Sequence, residues 1–246
     1  MPSKIPALFN WSGGKDSALA LYRTLQENRY QITALLTTIN RETQRSSMHG
    51  IPVELLHQQA QSIGLPLQVV ELPSNSSLEE YETAMTKAIT CFTAAGIRHF
   101  IFGDIYLREV REYREKLLTP HGIQVVEPLW CDDTRVIAQA FLDSGLQTVI
   151  TTTDAALLDE RFVGQQYNRH FLDSLPPEVD PCGENGEFHT FCYAGGMFRY
   201  PVAFSMGRPQ RISYPAKMAD GSVKTFTYCY VNLTLPDHNS PMTAHI

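Results

Sequence analysis

Short apolar runs alternate with longer amphipathic segments through the first hundred residues of the chain. Four apolar runs are predicted strands, at residues 5–10, 32–39, 67–72 and 98–103. Three segments with apolar residues at helical spacing are predicted helices, one beginning near Ser17, one at 53–63 and one at 78–95. The last two stop at Gly64 and Gly96, as helices commonly do. A repeated strand–helix order with near-continuous apolar strands predicts a parallel sheet with helices on both faces.

This simple alternation ends near residue 128. A helix is predicted near 133–144 and a strand near 146–152, followed by irregular chain rich in Gly, Pro and polar residues. Residues 198–235 alternate apolar and polar positions, and Asp220-Gly221 between two such runs is typical of a hairpin turn. We therefore predict an α/β fold, in which a doubly wound parallel sheet is followed by a smaller C-terminal α+β region.

The composition is that of a globular protein that can bury a substantial core. The chain has 246 residues, of which 43% are apolar and 19% charged. We find no signal peptide and no run of membrane-spanning length, so we expect a cytoplasmic protein without a membrane partner. Five scattered cysteines without Cys-x-x-Cys spacing indicate neither a disulfide framework nor a zinc site. The net charge of −6 argues against a long nucleic acid as the main partner, although residues 98–116 are locally basic.

The strongest chemical signal is Ser12-Gly13-Gly14-Lys15-Asp16-Ser17, between the first predicted strand and the first predicted helix. The two glycines let backbone N–H groups approach an anion, and the helix adds its positive end. The other residues supply two hydroxyls, the Lys15 cation and the Asp16 carboxylate, a candidate magnesium ligand. It is not a Walker loop, because Phe9 and Asp16 stand where Gly and Ser or Thr are required. The hexapeptide predicts a phosphate site, and the alternative is an ordinary turn capped by Ser12 or Asp16.

The hexapeptide resembles the signature of the adenine nucleotide α-hydrolase superfamily, the PP-loop ATP pyrophosphatases. Two further motifs follow in order, Glu127-Pro128-Leu129-Trp130 and the segment 183–190 (Gly-Glu-Asn-Gly-Glu-Phe-His-Thr). With them, the chain resembles the diphthine–ammonia ligase family up to about residue 200. The resemblance implies a Rossmann-like, HUP-type PP-loop domain that binds ATP at residues 1–128. It also implies a substrate-binding domain with the C-terminal hairpin at 129–246, and the use of ATP and Mg²⁺.

The resemblance further implies which residues face the nucleotide. The triphosphate would be held by Ser12, Gly13, Gly14, Lys15, Asp16 and Ser17. Thr37, at the end of the second strand, would border the adenine, and Gly103 and Asp104 would lie beside the nucleotide. For Asp104, a helix or turn cap is an equally good interpretation.

The segment 183–190 contains a second group of candidates. Glu184 and Glu187 flank the Asn185-Gly186 turn, so both carboxylates could converge on one site that binds magnesium, orients ammonia or accepts a proton. A solvated turn is the alternative. His189 stands where diphthamide-forming members of the family have Glu, so the chain looks more like the family's bacterial branch, for which diphthine is an implausible substrate. His49-Gly50-Ile51-Pro52 is a further marker of that branch, or simply a loop that precedes a helix.

Two other groups of residues have open interpretations. Glu127 and Trp130 could shape the acceptor pocket, or they could pack a hinge to the second domain. Arg108, Arg111 and Arg114 recur at helical spacing. They could meet an anionic substrate, or form an exposed face paired with neighbouring glutamates.

The predicted activity is ATP-dependent carbon–nitrogen ligation. By resemblance, ATP is cleaved to AMP and pyrophosphate to adenylate a small-molecule or protein carboxylate, and ammonia then displaces AMP. The candidate catalytic residues are Lys15, Asp16, Glu184, Glu187 and His189. One rival is a PP-loop enzyme that thiolates tRNA, with persulfide carried by Cys91, Cys131 or Cys182. A second rival is a regulatory module that binds ATP without turnover. A homodimer is compatible with the sequence.

Overall fold

The computed structural model describes residues 3–47, 49–74, 76–217 and 221–236. In this part of the chain, the first sheet contains β1 (Ile5–Asn10), β2 (Tyr30–Asn40), β3 (Arg45–Ser46), β4 (Leu67–Leu72), β5 (His99–Ile101) and β6 (Gln124–Val126). The helices are α1 (Lys15–Glu27), α2 (Val53–Ile63), α3 (Leu78–Ala94), α4 (Arg108–Leu118), α5 (Thr134–Asp143) and α6 (Arg169–Ser174). Two short 3₁₀ turns lie at Thr119–His121 and Glu160–Phe162.

The first sheet is doubly wound. Its parallel strands lie in the order β4-β2-β1-β5-β6, and the two-residue β3 runs antiparallel to the last residues of β2. The chain therefore winds outward from β1 through β2 to β4, then returns to the other side of β1 for β5 and β6. In such sheets ligands bind beyond the carboxyl ends of the strands where the winding reverses. The end of β1, which leads into residues 11–14, occupies this position.

Alternate residues of β1 pack on opposite faces of the sheet. Leu8 belongs to an apolar cluster with Met85 and Ile89 of α3, whereas Ala7 and Phe9 belong to a cluster that includes α1 and α2. This division follows from the two-residue period of a strand. Both faces are apolar because helices cover both, which is why the strands appear as continuous apolar runs in the sequence.

The second sheet is antiparallel and contains β7 (Gln147–Asp154), β8 (Phe188–Ala194), β10 (Gln210–Lys217) and β11 (Val223–Tyr230), in the order β10-β11-β7-β8. A small ladder joins β9 (Ser205–Met206) to β12 (Leu233–Thr234). Phe188 and Phe191 of β8 lie in the same apolar cluster as Leu19 of α1. The second sheet therefore shares a core with one face of the first, and α1 lies between them.

The predicted fold class, an α/β fold with a doubly wound sheet and a smaller C-terminal region, is confirmed. The prediction of irregular chain after residue 152 was wrong for β8, which is buried on both faces and so lacks the alternation that marks a half-exposed strand. The hairpin strands are confirmed as β10 and β11. Their last pair is Lys217 with Val223, so the connection is longer than two residues, and Asp220 lies outside the described residues. Among the helices described, none is long and apolar enough to cross a membrane.

Candidate functional site

The loop between β1 and α1 is fixed from two directions. Gly13 adopts a φ of +83°, which favours glycine, and its carbonyl accepts hydrogen bonds from Gln59 Nε2 of α2 and from the Cys192 N–H of β8, both at 2.9 Å. Gln59 is fully buried and its Oε1 accepts from Trp11 Nε1 at 2.9 Å. The loop is therefore held in one conformation by elements from both halves of the chain.

Two glycines of the site stand where a Cβ would not fit. At Gly14 it would lie 2.5 Å from His49 Cε1, and at Gly103 it would lie 2.8 Å from the backbone nitrogen of Ser17. The contact at Gly103 is with main-chain atoms, which cannot move away by changing rotamer as a side chain can. Gly103, just beyond β5, thus lets the sheet approach the first turn of α1 closely.

The first turn of α1 leaves hydrogen-bond donors free. The Lys15 N–H donates to Thr190 Oγ1 at 2.9 Å. Across the described ranges, the N–H groups of Asp16 and Ser17 have no acceptor. The Ser17 hydroxyl donates to the Gly14 carbonyl at 3.1 Å and lies 3.0 Å from Ser12 Oγ. Two unpaired N–H groups at the positive end of a helix, beside two hydroxyls, form an anion-binding arrangement.

Lys15 is buried beside this arrangement and is paired. Its Nζ lies 2.6 and 2.7 Å from the two Asp16 carboxylate oxygens, and 5.7 and 5.5 Å from the ring centres of Tyr167 and Phe188. Burial works against the Lys15 charge, but Asp16, together with Cys182 and Glu184, outweighs it, so the pKa of Lys15 is raised. Burial raises the pKa of Asp16, and Lys15 opposes that rise. Lys15 therefore stays cationic. The Asp16 side chain remains 27% exposed.

The two predicted glutamates of segment 183–190 have different surroundings. Glu184 Oε1 accepts hydrogen bonds from the N–H groups of Ile105 (3.0 Å) and Tyr106 (3.3 Å), just beyond β5. Burial raises the pKa of Glu184 to about 7, with a further contribution from the Asp16 carboxylate. Glu184 thus lies at the same end of the first sheet as the loop, and it can exchange a proton near neutral pH.

Glu187 faces its own loop and does not converge with Glu184. Its Oε1 accepts from the Asp180 N–H (3.1 Å) and from Asn185 Nδ2 (2.9 Å), and its Oε2 accepts from the Asn185 N–H (2.9 Å). The residue is 3% exposed. These side-chain hydrogen bonds hold the turn that carries Glu184, so the Glu187 carboxylate fixes the position of that turn.

His189 packs against a second histidine at the loop. The rings of His189 and His49 lie 4.9 Å apart, and His49 Nδ1 lies 3.1 Å from the Thr190 carbonyl. Because a carbonyl only accepts, Nδ1 of His49 carries the hydrogen and Nε2 is free to accept. Burial lowers the pKa of His189 to about 4 and that of His49 to about 3, with Lys15 adding to both shifts. Both rings are therefore neutral at pH 7.

The remaining predicted nucleotide contacts lie at the carboxyl ends of neighbouring strands. Thr37 is buried in the second half of β2, 4% exposed. Gly103 and Asp104 follow β5, and the Asp104 carboxylate is paired with Arg114, whose Nη1 lies 2.8 Å from Oδ2. Of the described residues, no group of three or more His, Cys, Asp or Glu side chains is arranged to hold a metal ion.

Arginines of α4 face buried carboxylates. Arg111 Nη1 lies 3.3 Å from Glu127 Oε2, and its guanidinium lies 4.6 Å from the ring centre of Trp130. The Glu127 side chain is 1% exposed. The predicted alternative of a wholly exposed arginine face fits Arg108, which is exposed, but not Arg111 or Arg114.

Three residues of the loop surroundings gave little signal in the sequence. Gln59 is one polar position in an otherwise ordinary amphipathic helix, and His49 belonged to a segment with two equal interpretations. Thr190 was part of the predicted motif, but its bond to the Lys15 N–H spans 175 positions of the sequence. Contacts of this kind leave no local pattern.

Comparisons with known proteins identify the family. The model of the diphthamide synthase N-terminal domain matches residues 4–125, and that of the diphthamide synthase C-terminal domain matches residues 133–210. No curated protein matches the chain. One solved structure with partial similarity is the U34-tRNA thiolase NcsA from Methanococcus maripaludis with its 4Fe–4S cluster, at 14% identity and a TM-score of 0.36. That match covers 57% of this chain and 58% of the thiolase chain, a little over half of its length. The two family matches together cover most of the sequence, and the chain belongs to the diphthamide synthase family, the family of diphthine–ammonia ligases.

Proposed function

We propose that this protein is an ATP-dependent ligase that cleaves ATP to AMP and pyrophosphate, adenylates a carboxylate and transfers it to ammonia. The observation that carries this proposal is the first turn of α1. There the free N–H groups of Asp16 and Ser17 lie beside the Lys15 cation and against Gly103, whose missing side chain leaves room for a close approach. Such an arrangement suits a phosphate chain better than any neutral ligand.

The residues present fit ATP with Mg²⁺. Magnesium is usually held by one or two carboxylates together with phosphate oxygens. Asp16 would supply one carboxylate, and its charge lies close enough to Glu184 to raise the pKa of that residue. The triphosphate would be bound by residues 12–17, with Thr37 near the adenine and Gly103 and Asp104 beside the nucleotide. Bound magnesium would neutralise charge on the departing pyrophosphate.

In the first step, a carboxylate oxygen of the acceptor attacks the α-phosphorus, the bond to the β-phosphate breaks, and pyrophosphate leaves. Lys15 stabilises the charge that develops on the leaving group, and the free N–H groups of α1 hold the phosphates in position. The buried pairing of Lys15 with Asp16 keeps that cation available at neutral pH. In the second step, ammonia attacks the activated carbonyl and AMP leaves.

Glu184 is the proposed proton carrier of the site, and His189 is a proposed hydrogen-bond acceptor for the reacting groups. Glu184, with a pKa of about 7, can accept a proton from the incoming nucleophile. His189, neutral at this pH, can accept a hydrogen bond without adding positive charge beside Lys15. Glu187 supports them as a positioning residue, because its bonds fix the turn that carries Glu184.

The remaining assignments are also proposals. Residues 1–128 would bind ATP and residues 129–246 would bind the acceptor, with free ammonia or ammonia from a partner as the nitrogen source. The protein would work in the cytoplasm. Apolar residues of both regions pack in one core, which supports a site formed by residues from both of them.

A thiolating activity on tRNA is the second candidate, and two of its three candidate cysteines, Cys182 and Cys91, argue against it. Cys182 is the one that interacts electrostatically with Lys15, but it is buried and donates to the Thr134 carbonyl at 3.3 Å. Burial raises the pKa of its thiol to about 12, so it carries no thiolate at neutral pH. Cys91 is exposed on α3, which packs against the opposite face of the sheet from α1.

The products of ATP test the proposal. We expect purified protein incubated with labelled ATP, magnesium, ammonium and a panel of carboxylates to release AMP and pyrophosphate, with amide formed from one acceptor. Release of ADP, or ATP retained without turnover, would contradict the ligase assignment. Cys182→Ala should leave AMP formation unchanged, whereas a thiolase that used this residue would lose it.

A further inference from the structure

A cavity of about 400 Å³ opens beyond the ends of β2 and β4. Asn40, the last residue of β2, and Leu72, the last residue of β4, both line it. The cavity therefore lies at the carboxyl edge of the first sheet, from which the loop after β1 also emerges. Ligands of doubly wound sheets bind at this edge. None of the residues proposed to hold the nucleotide or to move protons lines the cavity, so the proposed chemistry leaves its purpose open.

The lining of this cavity offers hydrogen-bond donors and no carboxylate. Its charged lining residue, among those described, is Arg45. Four residues with hydroxyl groups also line it, namely Thr43, Ser46, Ser47 and Ser76. Within the described ranges, none of these hydroxyls donates to a protein acceptor. The Ser46 hydroxyl is buried and accepts from the Ile51 N–H at 3.0 Å, so its own hydrogen is left for a ligand.

Arg45 is held in position by neutral partners. Its Nη1 donates to the Gly50 carbonyl at 2.7 Å, and its Nη2 lies 3.5 Å from the Leu233 carbonyl of β12. These contacts fix the guanidinium between two separate parts of the chain and leave its other N–H groups available. Because carbonyl oxygens carry no net charge, they orient the cation without neutralising it.

The acidic residues next to the lining in the sequence have partners of their own. Glu71 pairs with Arg41 at 3.6 Å. Glu42 accepts from the N–H and the hydroxyl of Ser74, at 2.7 and 2.8 Å. In the part of the chain that the structure describes, no carboxylate is paired with Arg45. A guanidinium without a counter-ion, beside hydroxyls with free hydrogens, matches the donor set that carboxylates and phosphates require.

A tight turn at residues 46–51 separates the cavity from the phosphate loop. The Gly50 N–H donates to the Ser46 carbonyl (3.1 Å), and the Ser46 N–H donates to the Ile51 carbonyl (2.8 Å). On one side of the turn, His49 packs so closely on Gly14 that an added Cβ would lie 2.5 Å from its ring. On the other side, Gly50 lines the cavity. A molecule in the cavity is therefore one turn of chain away from the bound triphosphate.

We propose that this cavity binds an anionic group of the acceptor, a carboxylate or a phosphate other than the carboxylate that is activated. Arg45 would donate paired hydrogen bonds to it, and the hydroxyls around the cavity would complete its coordination. The adenine of ATP is neutral and would leave the Arg45 charge unmatched. This inference rests on the proposed ligase function and adds to it a property of the unknown acceptor, a second anionic group.

Inorganic phosphate is the probe that tests the cavity without any acceptor. The whole chain is first saturated with magnesium and α,β-methylene ATP, which keeps the phosphate loop occupied and cannot be cleaved at the inner linkage. Calorimetric titration with phosphate should then show saturable binding, and Arg45→Gln should raise the Kd by about tenfold or more. Arg41→Gln removes a neighbouring, more exposed arginine that does not line the cavity, and it should bind phosphate as wild type does.

Absence of saturable binding to wild type, or equal Kd values for wild type and Arg45→Gln, would overturn the inference. If Arg45→Gln fails to fold, as judged by its thermal transition, Ser47→Asp takes its place. Ser47 is exposed, and a carboxylate there would compete with the anion for Arg45. Ser47→Asn is the neutral control and should retain binding. A folded Ser47→Asp that binds phosphate as tightly as Ser47→Asn would also refute the site.

A kinetic experiment connects the cavity to the acceptor. With the acceptor found in the product assay, Arg45→Gln should raise the KM for the acceptor by about tenfold, while the KM for ATP stays within about twofold. Phosphate should inhibit wild type in competition with the acceptor. Equal increases in both KM values would assign Arg45 a structural role, and phosphate binding without competition would assign the cavity to a free anion. Either result overturns the inference.

The failure of the ligase assignment would look different. Wild type would then release no AMP with any carboxylate, whatever the state of the cavity. The phosphate titration of wild type and Arg45→Gln would still decide whether the cavity is an anion site, because it requires no turnover.

Discussion

Replacement of Gly103 by alanine tests the contact on which the phosphate site depends. The added Cβ would lie 2.8 Å from the Ser17 nitrogen, 2.9 Å from Ser17 Cα and 3.0 Å from the Asp16 carbonyl carbon, all main-chain atoms. To reach ordinary van der Waals contact, the first turn of α1 must recede by about half an ångström, since tightly packed main chain has no void to absorb the methyl group. Overpacking of this kind costs about 1–3 kcal/mol of unfolding free energy.

The same displacement moves the N–H groups of Asp16 and Ser17 away from the phosphates they are proposed to bind. We expect ATP affinity to fall by about tenfold, or roughly 1.4 kcal/mol. Urea denaturation measures the first effect and calorimetric titration with ATP the second. Gly207→Ala is the matched control, because its Cβ would meet nothing closer than Asn232 O at 3.5 Å. If Gly103→Ala were as stable as this control and bound ATP equally well, the proposed close approach of sheet and helix would be refuted.

Three other perturbations have defined outcomes. Lys15→Ala should lower kcat for AMP formation by about a hundredfold, whereas the exposed Lys116→Ala should not; equal rates would contradict the role of Lys15. Gln59→Leu should lower the free energy of unfolding by about 2–5 kcal/mol in urea denaturation, because it removes the bonds to three buried groups, two on the loop after β1 and one on β8. The exposed Gln61→Leu should cost little. As pH falls from 6.5 to about 4, His189 takes up a proton in the unfolded chain but not in the folded protein. The free energy of unfolding of wild type, measured by urea denaturation, should therefore fall by about 3 kcal/mol relative to that of His189→Asn. A difference between the two proteins that does not change with pH would contradict the burial of His189.

Much of the fold could be predicted from local patterns. Helix α2 and strand β4 match their predicted bounds to the residue, because one has a clear apolar face and the other is a short apolar run between turn residues. The position of residues 12–17 between β1 and α1 was also predictable, since these residues are adjacent in the sequence. Strand β8 was not, because a strand that is buried on both faces lacks the two-residue alternation.

The candidate site was only partly predictable for a different reason. Glu184 and Glu187 have equivalent positions around a turn, but the N–H groups of Asp180 and Asn185 draw one of them inward. The distinction depends on which donors the folded turn presents, and spacing carries no information about that. The buried position of Glu127 likewise depends on α4 and its arginines, which reach it from a separate element.

The attachment of Gly13 to β8 has a consequence for how the protein acquires its activity. The loop receives one hydrogen bond from the Cys192 N–H and gives one to Thr190, both of which are made long after residue 128 during synthesis. A fragment that ends there would contain every residue of the Ser12–Ser17 signature and the Gln59 contact, and still lack the two bonds from β8. We therefore expect the ability to bind a nucleotide to arise late in synthesis, once β8 has been made and has docked against the loop.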